Sequence, residues 1–468
     1  MELSLGELAR LLGTEVRGKH RAGKGVTLCT DSRALKRGQV FWALKGENFD
    51  GHGFVEDTFA RGGYAAVVDA DWLEKNGRPV NVYMPVKDTN AALLSLAQGY
   101  AGKFRIPKIA VTGSNGKTTT KDMIVRVLSL AGPVLGTQGN FNNHVGVPLT
   151  LFELKKNHRS AVIEMGTNHP GEIKVLTETA RPTMAVITNI GDSHLEHFGS
   201  KERVLEEKLH IADGLQNGGV LVLNVDDPLL AEVKTVEAHK LVTFGIDRGQ
   251  IRASDLVFGP DGCASFRVGR TAFRLRVPGR HNVYNALAAI AVGTRLRIPK
   301  GLMSEALAGF AASKNRMQVK RLPMAVTVLD DCYNANPSSM KSALSTLGGY
   351  RPNGRRIAIL GDMLELGDRS ESLHAEIGHY LMEMGVDELF TFGTLSRHIN
   401  RGAREKGMPR KLAHHFSDFD LMCGELSKSV GPGDVILIKA SRGMRLERVY
   451  EFLWKQAATG SPRTGERT

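Results

Sequence analysis

Lys108-Ile-Ala-Val-Thr-Gly-Ser-Asn-Gly-Lys-Thr-Thr-Thr120 is the stretch that decides the fold of this chain. Its apolar start is typical of a buried strand, and the residues after it repeat apolar side chains at helical spacing. Between them, Gly113 and Gly116 let backbone N–H groups close around a polyphosphate, and the helix N-terminus adds its positive dipole end. We expect Lys117 to reach the β- and γ-phosphates and the Thr118 hydroxyl to bind Mg²⁺. The stretch therefore predicts a nucleotide site.

The glycine loop is shorter than the usual phosphate-binding loop. The usual pattern places a glycine five residues before the glycine of Gly-Lys, and that position here is Val111. A strand-turn-helix junction with a chance Gly-Lys-Thr is the alternative, and the ordered context argues against it. The loop residues predicted to bind ATP are Gly113, Ser114, Asn115, Gly116, Lys117, Thr118 and Thr119.

Length and composition indicate a soluble protein of several domains. The chain has 468 residues, 42% of them hydrophobic and 24% charged, which suggests about three globular domains. No apolar run approaches the ~20 residues that span a bilayer, and the amphipathic start lacks the features of a signal peptide. The four cysteines are scattered without a Cys-x-x-Cys pair, which favours reduced thiols over zinc. We therefore expect no membrane insertion and a cytoplasmic location.

The chain is basic, with a net charge of +13 from 62 basic and 49 acidic residues. Such a surplus suits either a nucleic acid or small polyanionic ligands. No long Lys/Arg block and no basic-aromatic interleaving occurs. Nucleotides are therefore the favoured ligands, and nucleic-acid binding is the minor alternative.

Strand-like runs alternate with helical stretches over most of the chain, which predicts an α/β fold with largely parallel sheets. A Pro- and Gly-containing linker at 101–107 separates a first domain, 1–103, from a central phosphate-loop domain, 104–315. A third, Rossmann-like domain is predicted for 316–456. The last residues, 457–468, have the composition of a disordered tail.

Polar residues follow two strands of the central domain. Glu164 ends the run 161–163, and Asp192-Ser-His194 follows the run 186–189. Ligands gather at the carboxyl ends of parallel strands, and a carboxylate beside a phosphate loop is a natural Mg²⁺ ligand. A lone Glu could instead cap a turn, and a lone His is usually structural. Their joint position behind a nucleotide loop favours the metal site.

The phosphate loop resembles that of the Mur ligases and the folylpolyglutamate synthases, which join an amino group to a carboxylate using ATP. Three more motifs decide between them: Thr30-Asp-Ser-Arg33, then Gly-x-x-Phe-x-Ala-Leu-x-Gly ending at Gly46, then Asp50-Gly-His-Gly-Phe54. Together these resemble the UDP-binding domain of the Mur ligases, which the folate enzymes lack. The resemblance implies UDP-substrate contacts at Ser32, Arg33, Gly46, Asp50 and His52. From spacing alone, Asp31-Ser-Arg is a polar turn closed by an Asx hydrogen bond.

In the central domain, Thr137-x-Gly-Asn-x-Asn-Asn143 and Glu164-Met-Gly-x-Asn-His169 resemble the Mur ligases that add D-alanyl-D-alanine. The resemblance implies two Mg²⁺ ions, with Thr118, Glu164, His194 and a carbamylated Lys208 as ligands. By composition alone Lys208 is a solvated helix lysine. Asn142 or Asn143 is expected to orient phosphate or acyl oxygens, and the spacing leaves open which one. The resemblance also assigns His281 and Asn282 to the adenine side and Arg316 to the γ-phosphate.

In the third domain, Asp330-Asp-Cys-Tyr-Asn-Ala-Asn-Pro337 and Lys439-Ala-Ser-Arg442 complete the resemblance. It implies nucleotide contacts at Asp331 and Tyr333. It also implies a peptide or D-alanyl-D-alanine side made of Asn168, His169, Asn334, Asn336, Ser441 and Arg442. The Asp-Asn-Pro-Arg string of the members that add diaminopimelate is absent.

The resemblance implies ATP-driven amide formation between a UDP-linked muramyl tripeptide and D-alanyl-D-alanine through an acyl phosphate. Lys117, Asn142, Asn143, His194, Lys208 and Arg316 are its expected catalytic residues. We expect a monomer that binds no nucleic acid. Two rivals stay open: a Mur ligase that adds another amine, and a non-catalytic protein that keeps the fold. A kinase is disfavoured, because it would have no reason to carry the UDP-type first domain. The third residue of the tripeptide, diaminopimelate or lysine, is also open.

Overall fold

The computed structural model describes residues 3–20, 25–78, 80–192, 195–235 and 239–459. In the first domain, strands β3 to β6 form a four-stranded parallel sheet in the order β3-β4-β5-β6, and β1 pairs with β2. The helices and strands of this domain are β1 Leu3–Ser4, α1 Leu5–Leu12, β2 Gly25–Val26, β3 Leu28–Cys29, β4 Val40–Trp42, α2 Val55–Ala60, β5 Ala65–Asp69, α3 Ala70–Asn76, β6 Tyr83–Val86 and α4 Thr89–Ala101.

The central domain is built on a seven-stranded sheet in the order β13-β12-β11-β10-β7-β9-β8, with every pair parallel. Its elements are β7 Lys108–Thr112, α5 Lys117–Leu128, β8 Val134–Gly136, α6 Gly146–Phe152, β9 Ser160–Glu164, α7 Glu172–Ala180, β10 Met184–Ile187, α8 Leu195–Phe198, α9 Lys201–Leu209, β11 Val220–Asn224, α10 Pro228–Ala231, β12 Lys240–Gly245, β13 Ile251–Arg252, β14 Ser254–Phe258, β15 Cys263–Val268, β16 Thr271–Pro278, α11 Arg280–Arg295 and α12 Lys300–Ala308. The chain crosses to opposite sides of β7, and ligands bind at such a switch point.

A second, antiparallel sheet in the order β14-β15-β16 lies within the central domain. None of the elements predicted from the sequence covers it. Strands β15 and β16 alternate buried and exposed residues, and the exposed positions include charged side chains such as Arg267 and Arg274. Phe266 and Phe273 stack on each other within the core that these strands share with α11.

The third domain has a six-stranded sheet in the order β17-β18-β22-β19-β20-β21, parallel except for the β17–β18 pair. Its elements are β17 Gln318–Arg321, β18 Thr327–Asp330, α13 Pro337–Gly349, β19 Arg356–Gly361, α14 Ser370–Glu383, β20 Glu388–Phe392, α15 Arg397–Glu405, β21 Ala413–Phe416, α16 Phe419–Ser429, β22 Val435–Lys439 and α17 Arg448–Thr459. This arrangement confirms the predicted three-domain α/β fold.

The end of the third domain corrects one boundary. A disordered tail is predicted from residue 457, whereas α17 continues to Thr459. Ala457 and Ala458 extend the helix because alanine has the highest helix propensity. The rest of the predicted tail, 460–468, lies outside the described residues. Among the residues that are described, no helix combines the length and apolar content that a bilayer crossing requires.

Candidate active site

The phosphate loop connects β7 to α5, and its two glycines are required by close neighbours. Gly113 has φ +144°, and a Cβ there would lie 1.9 Å from Thr188 Oγ1, just beyond β10. Gly116 has φ +79°, and a Cβ there would lie 2.6 Å from Asn285 Oδ1 on α11. Both positions combine a left-handed backbone with a steric limit, which only glycine satisfies. The loop therefore packs closely against the residue after β10 and against α11, which fixes its course.

The Lys117 ammonium group folds back over the loop. Its Nζ donates hydrogen bonds to the carbonyl oxygens of Gly113 at 2.7 Å and Ser114 at 3.3 Å. Burial lowers the pKa of Lys117; the Glu164 carboxylate opposes this change, and the Arg316 guanidinium adds to it. Charges from three parts of the chain therefore act on one another at the loop.

Two buried oxygen atoms fit a Mg²⁺ site. Glu164 is 1% exposed, and its Oε1 accepts a 2.9 Å hydrogen bond from Asn142 Nδ2. Glu164 Oε2 and Thr118 Oγ1 are both buried without a hydrogen-bond partner among the described residues. Buried oxygens are nearly always paired, and oxygen ligands suit Mg²⁺. His194, the third predicted ligand, lies outside the described residues.

No group of three or more His, Cys, Asp or Glu side chains converges on one point within the ranges that the structure describes. A site made of one carboxylate and one hydroxyl agrees with that finding. Mg²⁺ commonly binds one or two carboxylates, with the remaining positions taken by waters and substrate phosphates. The residues present therefore fit the metal that the sequence predicts.

Lys208 lies on α9 and is 2% exposed. Burial, helped by the charge of Lys117 and opposed by Glu207, lowers its pKa to about 7. Glu207 accepts hydrogen bonds from the backbone N–H of Gly171 at 2.6 Å and Ile173 at 2.8 Å, which fixes α9 against the start of α7. Lys208 is thus a buried amine with a large neutral fraction near pH 7 rather than a solvated lysine.

The structure separates the two candidate asparagines. Asn142 contacts the carboxylate of Glu164, as described above. Asn143 Oδ1 instead accepts hydrogen bonds from the backbone N–H of Val145 at 3.2 Å and Gly146 at 2.8 Å, at the start of α6. Asn142 therefore orients the proposed metal ligand, whereas Asn143 fixes the turn into the helix.

On the adenine side, His281 and Asn282 differ in what they can offer. Burial lowers the pKa of His281 to about 4, so the ring is neutral near pH 7. Its Nδ1 is buried and has no hydrogen-bond partner among the residues that the structure covers. Asn282 donates to the carbonyl of Pro278 at 2.7 Å and accepts from Asn285 Nδ2 at 3.0 Å. His281 can still accept a ligand hydrogen bond, and Asn282 shapes the start of α11.

The connection into the third domain is pinned on both sides of Arg316. The guanidinium carbon of Arg316 lies 3.7 Å from the centre of the Tyr333 ring. The Asp331 carboxylate accepts from Lys439 Nζ at 2.6 Å and from the backbone N–H of Met317 at 2.9 Å. Asp331 therefore holds the residue after Arg316 by a hydrogen bond and is itself fixed by an ion pair with Lys439.

Asn115 joins the phosphate loop to the third domain. Its Oδ1 accepts a 2.9 Å hydrogen bond from Asn336 Nδ2, and its Nδ2 donates to Ser338 Oγ at 2.5 Å. Its backbone N–H donates to Asn189 Oδ1 at 3.0 Å, and its carbonyl accepts from Thr188 Oγ1 at 2.6 Å. One loop residue thus contacts both the carboxyl end of β10 and the start of α13.

A cleft of about 150 Å³ lies between the phosphate loop and the third domain. Six of the predicted site residues line it: Ser114, Lys117, Asn334, Asn336, Ser441 and Arg442. The loop after β19, residues 364–366, also lines the cleft, together with Asp192, Ala335 and Gly443. The position of 364–366 at the carboxyl end of a parallel strand is the sequence signal that could have identified it.

A larger cavity of about 380 Å³ lies among β14, β15, β16 and α12. It contains none of the predicted site residues and no glycine loop or helix start that would bind a phosphate. The stacked pair of Phe266 and Phe273 is among the residues that line it. The smaller cleft is therefore the candidate active site, because chemically active groups from two domains meet there.

Two predicted residues of the peptide side lie on the loop before α7. The backbone N–H groups of Asn168 and His169 donate to Glu172 Oε2 at 2.7 and 3.2 Å. The His169 ring lies 4.4 Å, centre to centre, from the ring of His197 on α8. Both residues belong to the central domain, and neither lines the cleft.

The first-domain residues divide into an exposed turn and a buried histidine. Asp31 accepts from the backbone N–H of Arg33 at 3.0 Å and pairs with its guanidinium at 2.9 Å, so the Asx-type turn is present beside Ser32. His52 is 2% exposed; its Nδ1 contacts Asp50 Oδ1 at 2.6 Å and its Nε2 accepts from the Asp69 N–H at 2.9 Å.

The direct ligand contact expected of His52 is corrected by this burial. Both ring nitrogens are engaged inside the domain, so the ring positions Asp50 and leaves neither nitrogen for a substrate. Gly46 lies in an exposed turn, and a Cβ at this position would lie 2.5 Å from the Phe49 ring.

A phosphate loop, buried oxygens suited to Mg²⁺ and a third domain that contacts the loop define a three-domain nucleotide-dependent enzyme. Comparison with known proteins agrees. Residues 111–293 match the model of the Mur ligase middle domain, and residues 315–442 match that of the Mur ligase, glutamate ligase domain. The chain belongs to the Mur ligase family.

Similar proteins cover nearly the whole chain. UDP-N-acetylmuramoyl-tripeptide–D-alanyl-D-alanine ligase of Bacillus subtilis is 39% identical over 91% of this chain and 92% of its own. The enzyme of the same name from Escherichia coli is 33% identical over 97% of this chain and 98% of its own. A crystal structure of MurF from Acinetobacter baumannii superposes with a TM-score of 0.88 at 30% identity, covering 97% and 99%. The crystal structure of Thermotoga maritima MurF in complex with ADP superposes with a TM-score of 0.81 at 29% identity, covering 92% of this chain and 98% of that one.

Proposed function

We propose that this protein is an ATP-dependent ligase that adds D-alanyl-D-alanine to UDP-N-acetylmuramoyl-tripeptide, a step of peptidoglycan and cell-wall synthesis. One observation carries the proposal: Lys117 of the nucleotide loop and Arg442 of the third domain face one cleft, in a chain that matches ligases of this reaction over more than nine-tenths of its length. A degenerate, non-catalytic relative would have no need to keep that arrangement.

The chemistry proceeds in two displacements. A carboxylate oxygen of the tripeptide attacks the γ-phosphorus of ATP, the bond to the β-phosphate oxygen breaks, and ADP leaves. The amino group of D-alanyl-D-alanine then attacks the acyl phosphate, and inorganic phosphate departs from the tetrahedral intermediate as the amine loses its proton. Lys117 and Arg316 stabilise the charge that develops on the transferred phosphoryl group, because cations fixed in a site shielded from water act strongly.

Thr118 Oγ1 and Glu164 Oε2 support one Mg²⁺ ion, with His194 as a further ligand and Asn142 orienting Glu164. Mg²⁺ bound there would neutralise phosphate charge. For a second ion, a carbamate on Lys208 is chemically reasonable. Its pKa of about 7 leaves much of the amine neutral, the form that reacts with CO₂.

The remaining predicted contacts belong to the same proposal. The UDP moiety binds the first domain at Ser32, Arg33, Gly46 and Asp50, with His52 supporting Asp50. Adenosine lies near His281, Tyr333 and the Asp331 segment, with Asn282 and Thr119 shaping the helix starts beside it. The peptide side comprises Asn168, His169, Asn334, Asn336, Ser441 and Arg442. We also propose a monomer acting in the cytoplasm, where ATP and UDP-sugars are available, with no nucleic-acid partner.

Phosphate release from Mg-ATP tests the function. The reaction is run with UDP-N-acetylmuramoyl-tripeptide, with and without D-alanyl-D-alanine, and the product is identified by mass. We expect release that requires both acceptors and yields the pentapeptide. Lys117→Ala is the negative control, since it removes the phosphate-facing cation and no core side chain.

Each other outcome selects one rival. Release with another amine but not with the dipeptide would keep the ligase chemistry and reject the proposed substrate. Phosphate transfer to a hydroxyl acceptor would indicate a kinase. ATP binding without turnover for any pair of acceptors would favour a non-catalytic protein. Parallel reactions with diaminopimelate- and lysine-containing tripeptides identify the third residue.

A further inference from the structure

The larger cavity, of about 380 Å³, has no part in the reaction described above. It lies among β14, β15, β16 and α12, and it shares no lining residue with the candidate active site. Sites for small ligands usually occupy ~300–1,000 Å³. The cavity therefore has the size of a second small-molecule site, separate from the cleft at the phosphate loop.

Two opposite charges on different walls of this cavity have no partner. Arg274 lies on β16 and Glu305 on α12, and both line the cavity. Neither side chain forms a hydrogen bond or an ion pair with another residue in the ranges that the structure describes. Burial raises the pKa of the Cys263 thiol near Arg274 to about 12, so this thiol is neutral and does not pair with the guanidinium. Both charges are therefore available to a ligand.

The other two charged side chains of the lining are engaged with each other. Arg267 Nε lies 3.9 Å from Asp255 Oδ2, and Arg267 Nη2 donates to the Arg270 carbonyl at 2.6 Å. Asp255 has φ +51° and lies where the register of β14 on β15 shifts, between Ser254 and Val257. Such an irregularity redirects a side chain out of the regular alternation. The lining is thus left with one free positive and one free negative charge, not with a net charge.

One small molecule can span these two charges. Ser304 Oγ donates a 2.7 Å hydrogen bond to the Ala272 carbonyl, so α12 packs directly against β16. Glu305 follows Ser304 in the chain, and Arg274 lies about 7 Å along the strand from Ala272, on the same face. This spacing suits an amino acid or a dipeptide better than a long chain. The apolar residues of the lining are Phe266, Ala272, Phe273 and Ala308.

We propose that this cavity binds a small zwitterion with an apolar side chain, either an amino acid or a dipeptide. The ligand carboxylate pairs with the forked guanidinium of Arg274, and the ligand ammonium donates hydrogen bonds to the Glu305 carboxylate. The ligand side chain packs against Ala272 and Ala308. Binding here requires neither ATP nor turnover, so this inference does not rest on the proposed function.

Calorimetric titration with L-leucine and with glycyl-L-leucine tests the zwitterion, and the two probes distinguish an amino acid from a dipeptide. We expect at least one of them to bind the wild-type protein. N-acetylation of that probe removes its ammonium group, and amidation removes its carboxylate. Each change should weaken binding by about tenfold or more, the scale of one lost hydrogen bond between charged groups. Absence of binding by both zwitterions would overturn the proposal.

Arg274→Gln tests the carboxylate contact, with Arg276→Gln as the matched control. Arg276 is also exposed on β16 and lies outside the lining of the cavity. We expect Arg274→Gln to weaken binding of the probe by about tenfold or more, whereas Arg276→Gln should match the wild type. Equal affinities of Arg274→Gln and the wild type would contradict the carboxylate assignment.

Glu305→Gln tests the ammonium contact through the probe itself. In this variant the free and the N-acetylated probe should bind almost equally, because the charged partner of the ammonium group is gone. A preference for the free probe of undiminished size would reject the assignment of Glu305.

Two further variants separate this cavity from the active site, which also faces a peptide in the proposed function. Ala308→Leu narrows the cavity and keeps both charges, so it should abolish binding of the probe. Arg442→Ala changes only the cleft at the phosphate loop and should leave binding of the probe unchanged. Binding that is lost in Arg442→Ala and kept in Ala308→Leu would place the probe in the active site and overturn the proposal.

Discussion

Asn115→Ala should weaken the contact between the phosphate loop and the third domain. The side chain of Asn115 makes two hydrogen bonds across this boundary, with Asn336 and Ser338. Its backbone bonds to the central sheet do not depend on the side chain and should persist. The substitution therefore removes the interdomain part of the contact and keeps the loop itself.

The magnitude follows from these two bonds. Each hydrogen bond between neutral groups contributes about 0.5–1.5 kcal/mol, so their loss should cost about 1–3 kcal/mol. For the equilibrium between joined and separated domains, this free energy corresponds to a roughly 5- to 150-fold change in the equilibrium constant. Asn336 and Ser338 are only partly buried and can bond to water in the variant, so we expect the lower half of that range.

The assay combines kinetics with a distance measurement. We expect kcat to fall while the KM for ATP changes little, because the loop still binds phosphates but the domains join less often. Fluorescence transfer between dyes on the central and third domains should show a larger separated fraction with nucleotide bound. Asn76→Ala, which removes a side chain that donates to the Trp72 carbonyl within α3, is the control.

A double-mutant cycle with Ser338→Ala decides whether the contact itself is responsible. The two substitutions should be clearly non-additive, because each removes the same hydrogen bond. Strict additivity, or an Asn115→Ala variant with wild-type kcat and wild-type interdomain distances, would refute the reasoning.

Three further predictions follow from single positions. Gly113→Ala should abolish ATP binding, measured by calorimetry, because its Cβ would meet Thr188 Oγ1, whereas Gly424→Ala, with open space around it on α16, should be neutral or stabilising by up to about 1 kcal/mol. Protein supplied with ¹³C-bicarbonate should show a carbamate resonance in NMR that Lys208→Ala lacks; an identical resonance in that variant would reject the modification. Because the pKa of His281 falls from 6.5 to about 4 on folding, the unfolded state binds the proton more readily. The free energy of unfolding should therefore fall as the pH is lowered from 6.5 to 4, by at most about 3 kcal/mol. In denaturant titrations over that interval, the free energy of unfolding of His281→Gln should fall by less.

Much of the central domain could be read from local sequence. The strand at β7, the glycine loop and α5 depend on residues that are neighbours in the chain, and the resemblance to Mur ligases depends on ordered short motifs. The alternation of strands and helices is likewise local, so the parallel sheets of all three domains were predictable. The β14–β16 sheet was not predicted, although β15 and β16 alternate buried and exposed residues, a pattern that is itself typical of half-buried strands.

The site was predictable in its residue types and less so in its contacts. His52 occurs in a motif that suggests a ligand contact, yet its burial depends on how α3 and β5 pack around it. Asn142 and Asn143 are equivalent by spacing, and only the position of Glu164 beside one of them separates their roles. Burial and pairing are properties of distant residues, which a local pattern does not contain.

Sequence alone determined that the chain binds a nucleotide, because a glycine loop and a lysine at a helix start act through adjacent backbone groups. It also determined the ligase family through motifs in all three domains. Only the tertiary structure decided that residues 364–366 and Lys117 line one cleft and that Asn115 reaches Asn336. These pairs are far apart in the chain, and the packing of two separate sheets brings them together.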